Sequence, residues 1–399
     1  MIMRIYIFTF LIKTYGNKKL LIPFLLSWLF LFFSCTEKNK ETALTENSSI
    51  FVNIGRDFEN TDSVKVSTIA DSIWYIPLET CDKSLLPDIV DICIKNENIF
   101  VMTKEQKLFV FSGTGKFLNK IGNLGNGPKE YRRIIHFDVD DEYVYILDYG
   151  KIHQYNISGE YINSIRIPKL ASQILKLNNG NFLCYIPESQ FKKTEQNYSF
   201  LIISNEGDSL NIIRTSKLRD YSNEKISSNY LLINFSTNFK IAYKETFNDT
   251  LFCLSTNNLG ITKFGVIDYG IHKIDMNMPY NDVLNAKHNM RITNLIDIDN
   301  YLFIQYACQC VGTRTWHWAA YDKQNAYFFN LSDELMKEKI INDINDGPNF
   351  TPLKVIDKRL IGFLNAFDYE GLIYHENKQI DCMNPNDNPI IVIAKLISN

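Results

Sequence analysis

The residues best equipped for chemistry fall in a few short stretches. Trp316-His317-Trp318, preceded by Arg314, puts two indoles on one side of an alternating segment and the imidazole on the other. Exposed, such a pair is a stacking platform for a sugar or an aromatic ligand; buried, it is sheet packing. Cys308-x-Cys310 places two thiols on one side of a strand, with His317 close by. Cysteine metal sites generally use Cys-x-x-Cys with a second pair or a histidine. Core cysteines or a disulfide suit this spacing better, and no metal and no cofactor are expected. Asp138, Asp140 and Asp141 open like a calcium loop, but neither the glycine nor the distal glutamate of such a loop follows. Solvated turn residues are the plainer reading. Lys129, Tyr131, Arg132 and Arg133 sit on a glycine-rich connection, 122–131, where they either line one mouth of a channel or are simply solvated. A phosphate cradle needs a following helix, and here a strand follows with no Gly-Lys-Ser/Thr. The expectation is a connection whose glycines take positive φ. The chain has no Gly-x-Ser-x-Gly, His-Glu-x-x-His or P-loop signature. Carboxylate pairs for glycoside cleavage are assembled in space and leave no spacing to read.

The elements that hold these residues repeat. A strand, a polar turn and a second strand recur six times: Ile92–Val101, Phe137–Ile146, Ile174–Leu183, Leu232–Ile241, Leu295–Ile304 and Leu353–Gly362. A second hairpin follows each copy. Five share an apolar residue four places before a Gly or Asn: Phe111 to Gly115, Tyr155 to Gly159, Ile203 to Gly207, Leu254 to Asn258 and Tyr321 to Asn325. A looser sixth lies at Tyr374 to Asn377. Gly and Asn tolerate the positive φ of tight hairpin turns. Alternation on both sides of each turn argues for half-buried strands. Two hairpins make a four-stranded antiparallel sheet, which cannot cover both of its own faces. Six of them stacked around an axis cover one another, so the expectation is an all-β, six-bladed β-propeller. Two segments break the repeat. Residues 272–290 suggest a loop with a short helix from Pro279, and Ser332 or Asp333 is placed to cap a short helix over 332–341.

Composition agrees with strands. Tyr and Phe number 22 and 27 in 399 residues, and the net charge of -3 offers no basic stripe for nucleic acid. Residues 1–34 read as a targeting segment: Lys18 and Lys19 precede the apolar run Leu20–Phe33. That run is short for a membrane span and suits a signal sequence. It ends at Ser34-Cys35, which resembles a bacterial lipobox with Cys35 as the lipidated residue, although Phe33 and Phe32 are bulkier than usual there. Residues 35–68, rich in Thr, Asn, Ser, Glu and Lys, read as a flexible tether, and 69–399 as the propeller. The segment Asp71–Glu79 alternates like a strand. Its expected partner is the apolar run Pro389–Leu396, pairing first strand with last to close the ring.

One stretch carries a family likeness. Ile121-Gly122-x-x-Gly125-x-Gly127-Pro128-x-Glu130-Tyr131, the Asp-containing strands after it and the Tyr155 to Gly159 turn resemble the NHL repeat. Together with Trp74–Thr80, Asp346–Phe350 and Asn388–Leu396, they resemble the six-bladed β-propeller lipoproteins of Bacteroides and related bacteria. The likeness spans about 69–399 and is weak across 186–290. It implies the fold and an envelope location, on the outer membrane and facing either the periplasm or the surface. It brings no established reaction. The expected role is a non-catalytic binding or interaction module for a glycan or an envelope protein partner, membrane-bound through its lipid and monomeric. A hydrolase or lyase acting on a glycan is the alternative, favoured if His, Arg or carboxylates converge in the channel. The binding candidates are Trp316, Trp318, His317, Arg314, Lys129, Tyr131 and Arg132.

Overall fold

The computed structural model describes residues 50–187, 199–213, 231–233, 240–245, 248–255, 257–274, 289–310, 313–333, 335, 337–345, 347–365, 373–375, 378–380, 384 and 386–397. They form six blades of four antiparallel strands in a ring. The inner strands are Ile89–Lys95, His136–Val139, Gln173–Lys176, Leu231–Ile233, Met290–Asp297 and Thr351–Ile356, for blades 1 to 6. Each is followed in sequence by the next strand outward, so the repeats of blades 1 to 5 begin at the axis and end at the rim.

Alternation explains the ring. In blade 1, Ile92 and Ile94 of the inner strand and Ile99, Val101, Phe109 and Phe111 of the next two are buried against blade 6. Phe100, Met102, Leu108 and Val110, one residue out of phase, are buried against blade 2. Each sheet thus has two apolar faces, and one apolar cluster fills each of the six blade-to-blade interfaces.

Blade 6 takes its fourth strand from the other end of the domain. Ala70–Pro77 pairs antiparallel with Ile390–Leu396, with Tyr75 opposite Val392. The expected closure is therefore present. The looser turn at Tyr374 to Asn377 is not the second half of this blade. Ile373–His375 and Lys378–Ile380 pair only with each other, as an insertion between the second and third strands of blade 6. Closure supplies the fourth strand that this hairpin was expected to provide.

Strands are present before Asp71, inside the stretch read as tether. Ile50–Asn53 adds in parallel to the outer strand of blade 4, and Thr61–Asp62 to that of blade 5. The reason is apolar spacing within a polar composition. Val52, Ile54, Val64 and Val66 are fully buried, the first two against blades 4 and 5 and the others between blades 5 and 6. The segment is a strap that runs outside three blades before closing the ring.

The turn glycines serve a blade-to-blade fit. Gly115, Gly159 and Gly207 have φ of 83°, 89° and 93°. A Cβ at each would collide with the carbonyl oxygen of Pro77, Lys120 and Arg166 respectively, on the outer strand of the preceding blade. At the two Asn turns the positive φ falls one residue later, at Leu259 (57°) and Ala326 (51°). Asn258 instead accepts the Gly260 N–H through Oδ1, and Asp322 accepts those of Gln324 and Asn325. In the glycine-rich connection only Gly122 has positive φ. At Gly125 and Gly127 the absence of a side chain lets the Glu130 carboxylate pack against the loop and accept the Gly127 N–H at 2.8 Å.

No described residue of 332–341 is helical. Asp333 does cap, accepting the Leu335 and Lys337 N–H groups, but the chain then extends to bridge Ile340 with Phe350. Ile340 is fully buried, and that burial outweighs one turn of helix. The Pro279 segment and Cys35 lie outside the described residues.

Candidate functional site in the channel

Counting from the turn that follows each inner strand, alternate residues of blades 1 and 2 are polar, and blade 6 adds Lys354. Cys93, Asp138 and Lys354 share one level. Asp91 and His136 lie two residues nearer the strand starts, level with Asn294 of blade 5. The residues between them, Ile92, Ile94, Phe137, Val139 and Val355, are buried in the blade interfaces. The period of two thus hands one set to apolar packing and the other to polar contacts between neighbouring inner strands around the axis. The inner strands of blades 6, 1, 2 and 3 neighbour one another in turn.

Lys354 of blade 6 reaches across to Asp91 of blade 1, Nζ to Oδ1 at 2.6 Å. The same oxygen accepts the Ile92 N–H at 2.8 Å. Asp138 of blade 2 accepts the Val139 N–H at 2.9 Å and, from blade 3, the Lys176 N–H at 2.5 Å. His136 Nδ1 receives the Ile174 N–H at a long 3.5 Å. Burial dominates the protonation equilibria. It pushes the Asp138 carboxyl up to about 6, against its backbone donors and Lys354. It holds His136 down to about 4, so the imidazole is neutral near pH 7. The Cys93 thiol is pushed up to about 12. Burial also works against the Lys354 ammonium, but Asp91, Cys93 and Asp138 together carry its pKa above the ordinary lysine value. The field of Lys354 reaches Cys93, His136 and Asp138, so five groups on three blades form one electrostatic unit.

The predicted binding residues share a face but not a site. In every blade the turn after the inner strand and the last turn close one face. The middle turn and the blade-to-blade connection close the other. Lys129, Tyr131 and Arg132 lie on such a connection, and Arg314 to Trp318 begin just past such a middle turn, so both belong to the second face. Trp316 is 58% exposed and Trp318 only 6%, so no paired platform forms. On the third strand of blade 5 the outer strand covers Ala319–Asp322, which leaves Trp316 beyond its cover. Trp318 packs between blades 5 and 6. His317 is held by Glu338 at 2.6 Å and Thr315 at 2.8 Å, and Glu338 also accepts the Trp318 N–H. Arg314 lies opposite Gln309 in the hairpin. Tyr131 is 1% exposed, edge-on to Tyr155, and so is a core residue. Lys129 and Arg132 are exposed. Arg132 stacks over Tyr149 and approaches Asp148 at 3.9 Å.

The glycine connection is not a phosphate cradle, since the Gly125 and Gly127 N–H groups are already bonded to Tyr131 O and Glu130. Cys308 is buried in the core between blades 4 and 5, and no trio of His, Cys, Asp or Glu able to hold a metal exists among the described residues. Of the three aspartates, Asp140 is a turn cap, accepting the Glu142 and Tyr143 N–H groups and the Tyr145 hydroxyl. Asp138 is the channel group. A second polar trio looks catalytic in composition. Ser164 Oγ lies 2.9 Å from His153 Nδ1, and His153 Nε2 lies 3.5 Å from Asp148 Oδ2. Asp148 also accepts the Tyr149 and Arg132 N–H groups, one on each oxygen. The trio therefore braces the turn of blade 2 to its outer strand. Sequence reasoning missed the channel group. The signal available was Asp91-x-Cys93-x-Lys95 and His136-x-Asp138-x-Asp140, polar residues at period two inside inner-strand candidates.

The comparisons bear on the fold. A crystal structure of a protein from Bacteroides fragilis, described as exported, matches with a TM-score of 0.60 at 17% identity, covering 88% of this chain and 99% of that one. A protein of unknown function from Bacteroides caccae matches with a TM-score of 0.35 at 13% identity, over 62% and 82%. The Pan2 WD40 domain of Neurospora crassa gives 0.41 at 11%, over 84% and 98%. The first of these shows a shared fold. A comparison with curated proteins finds no match. No helix among the described residues is long and apolar enough to cross a membrane. The family model described as "Domain of unknown function (DUF4934)" matches residues 49–395, from the first strand of the strap to the closing strand, and the chain belongs to that family.

Proposed function

We propose that this protein is an extracytoplasmic binding module, held at the cell envelope by a lipid on Cys35, that takes a small polar ligand in its channel. The carrying observation is the unit formed by Lys354, Asp91, His136 and Asp138 on three adjacent inner strands. Packing alone would fill an axis with apolar side chains, because grouped ionisable residues cost free energy to desolvate. The anchor rests on the lipobox likeness at Ser34-Cys35. The location also draws on the likeness to a protein described as exported. Cys35→Ala should abolish incorporation of a labelled fatty acid and release the protein from the membrane fraction. Unchanged labelling would remove the anchor from this reading.

A thermal-shift screen against host and dietary glycans, with product analysis of each hit, tests the function. A stabilising glycan recovered intact supports a binding module. No shift with any glycan counts against a small ligand and favours an envelope protein partner.

One observation favours a second reading, a glycan hydrolase or lyase. Asp138 protonates near pH 6 beside a neutral imidazole, which is the pairing of acid and base that proton transfer uses. Cleaved product that disappears in Asp138→Asn would establish it in place of the binding reading.

A further inference from the structure

We infer that the channel takes a neutral, hydroxyl-rich ligand of the sugar class, in preference to an anion or a metal ion. The inference rests on the channel being the ligand site and adds the chemistry of what enters it. Asp91 commits Oδ1 to Lys354 and the Ile92 N–H, which leaves Oδ2 as an acceptor. Lys354 spends one of its three protons on Asp91, which leaves donors. His136 receives a backbone N–H at Nδ1, so its neutral form carries the proton on Nε2 and donates there. Asn294 gives Nδ2 to the Leu353 carbonyl at 2.8 Å and keeps Oδ1 as an acceptor. Donors and acceptors therefore alternate over two levels of the inner strands.

Simple ions fit this set poorly. An anion drawn to Lys354 meets the Asp91 and Asp138 carboxylates in the same unit. A divalent cation drawn to those carboxylates meets the Lys354 ammonium, which interacts with both. A hydroxyl group both donates and accepts, so a polyol can satisfy Asp91 Oδ2, Asn294 Oδ1, Lys354 and His136 without adding charge. Lost hydrogen bonds to charged groups are worth about 1.5–3 kcal/mol, or roughly tenfold or more in affinity.

The test is calorimetric titration of the purified protein with galactose, mannose and their disaccharides, with galacturonate, and with calcium and zinc ions. A neutral sugar should bind. Asp91→Asn should weaken it about tenfold and the neutral acceptor change Asn294→Ala about threefold to tenfold, while Trp316→Ala leaves it unchanged. Asn294→Ala breaks no ion pair, so it reports on the site even if a charge variant fails to fold. Tighter binding of galacturonate that is lost in Lys354→Met would overturn the neutral class and keep the channel as the site. Neutral-sugar binding indifferent to both Asp91→Asn and Asn294→Ala would overturn the channel site itself. Binding of the cations alone, or of none of the probes, would overturn the sugar class.

Discussion

Two residues of the channel pull stability in opposite directions as pH falls. His136 has a folded pKa near 4, below its ordinary 6.5, so the unfolded chain binds the extra proton between those values and acid destabilises the fold. Asp138 has a folded pKa near 6, above its ordinary 3.8, so the folded chain binds the extra proton between 3.8 and 6 and acid stabilises it. The two offset each other from about pH 6 to 4. His136→Gln should flatten the loss of stability over pH 6.5 to 4, and Asp138→Asn should steepen it. Denaturant titrations at half-unit pH steps read both slopes, and parallel curves for both variants would contradict the assigned shifts. The tryptophan pair separates in the same way. Trp318→Ala should cost about 3–5 kcal/mol as a large core truncation, and Trp316→Ala less than about 0.5 kcal/mol. Equal losses in chemical denaturation would mean that Trp316 is not exposed. The stretch containing both indoles was visible in the sequence as a candidate, but which one faces solvent was not. That depends on where the outer strand of blade 5 stops, and no residue near Trp316 encodes it.

At the level of elements, the turns were the most legible feature. Phe111 to Gly115, Tyr155 to Gly159 and Ile203 to Gly207 each mark a hairpin between the third and fourth strands of a blade. Their glycines carry a second duty that spacing does not reveal, the close approach to the previous blade. Gly159→Ala combines strain at φ 89° with a collision against the Lys120 carbonyl. It should cost about 1–3 kcal/mol, read as a lowered melting temperature. An unchanged melting temperature would mean that the turn shifts freely. The strap was the least legible element. Residues 50–68 scatter seven apolar side chains among polar ones, and four of the seven, Val52, Ile54, Val64 and Val66, are fully buried. Each is worth about 1.5–3 kcal/mol when buried, against a total of 5–15 kcal/mol for a typical domain. Protein beginning at residue 70 should therefore melt well below protein beginning at residue 49. Equal melting temperatures would reduce the strap to a passive tether. The helix expected over 332–341 failed for a related reason. Local capping by Asp333 is present, but Ile340 and Glu338 are drawn instead to Phe350, His317 and Trp318.

At the scale of the whole molecule, the six-fold repeat and the closure of first strand on last could be read from alternation and turn residues, because each blade solves the same packing problem. The channel could not be read in that way. Its residues come from positions that look like ordinary solvated strand ends until the ring places them together. Closure makes the ring cooperative: Ile390–Leu396 pairs on one side with Arg359–Leu364 and on the other with Ala70–Pro77. Truncation after Asn388 should abolish the folded state, as seen by loss of dispersed amide resonances.

The central claim, that the ligand enters the channel and not the exposed tryptophan face, is tested most directly by NMR. The side-chain resonances of His136 and the indole N–H of Trp316 would be followed while the glycan with the largest thermal shift is added. The His136 imidazole should shift in proportion to occupancy while the Trp316 indole stays in place. A moving Trp316 indole with an unmoved His136 would contradict the claim and put the ligand on the outer face of blade 5.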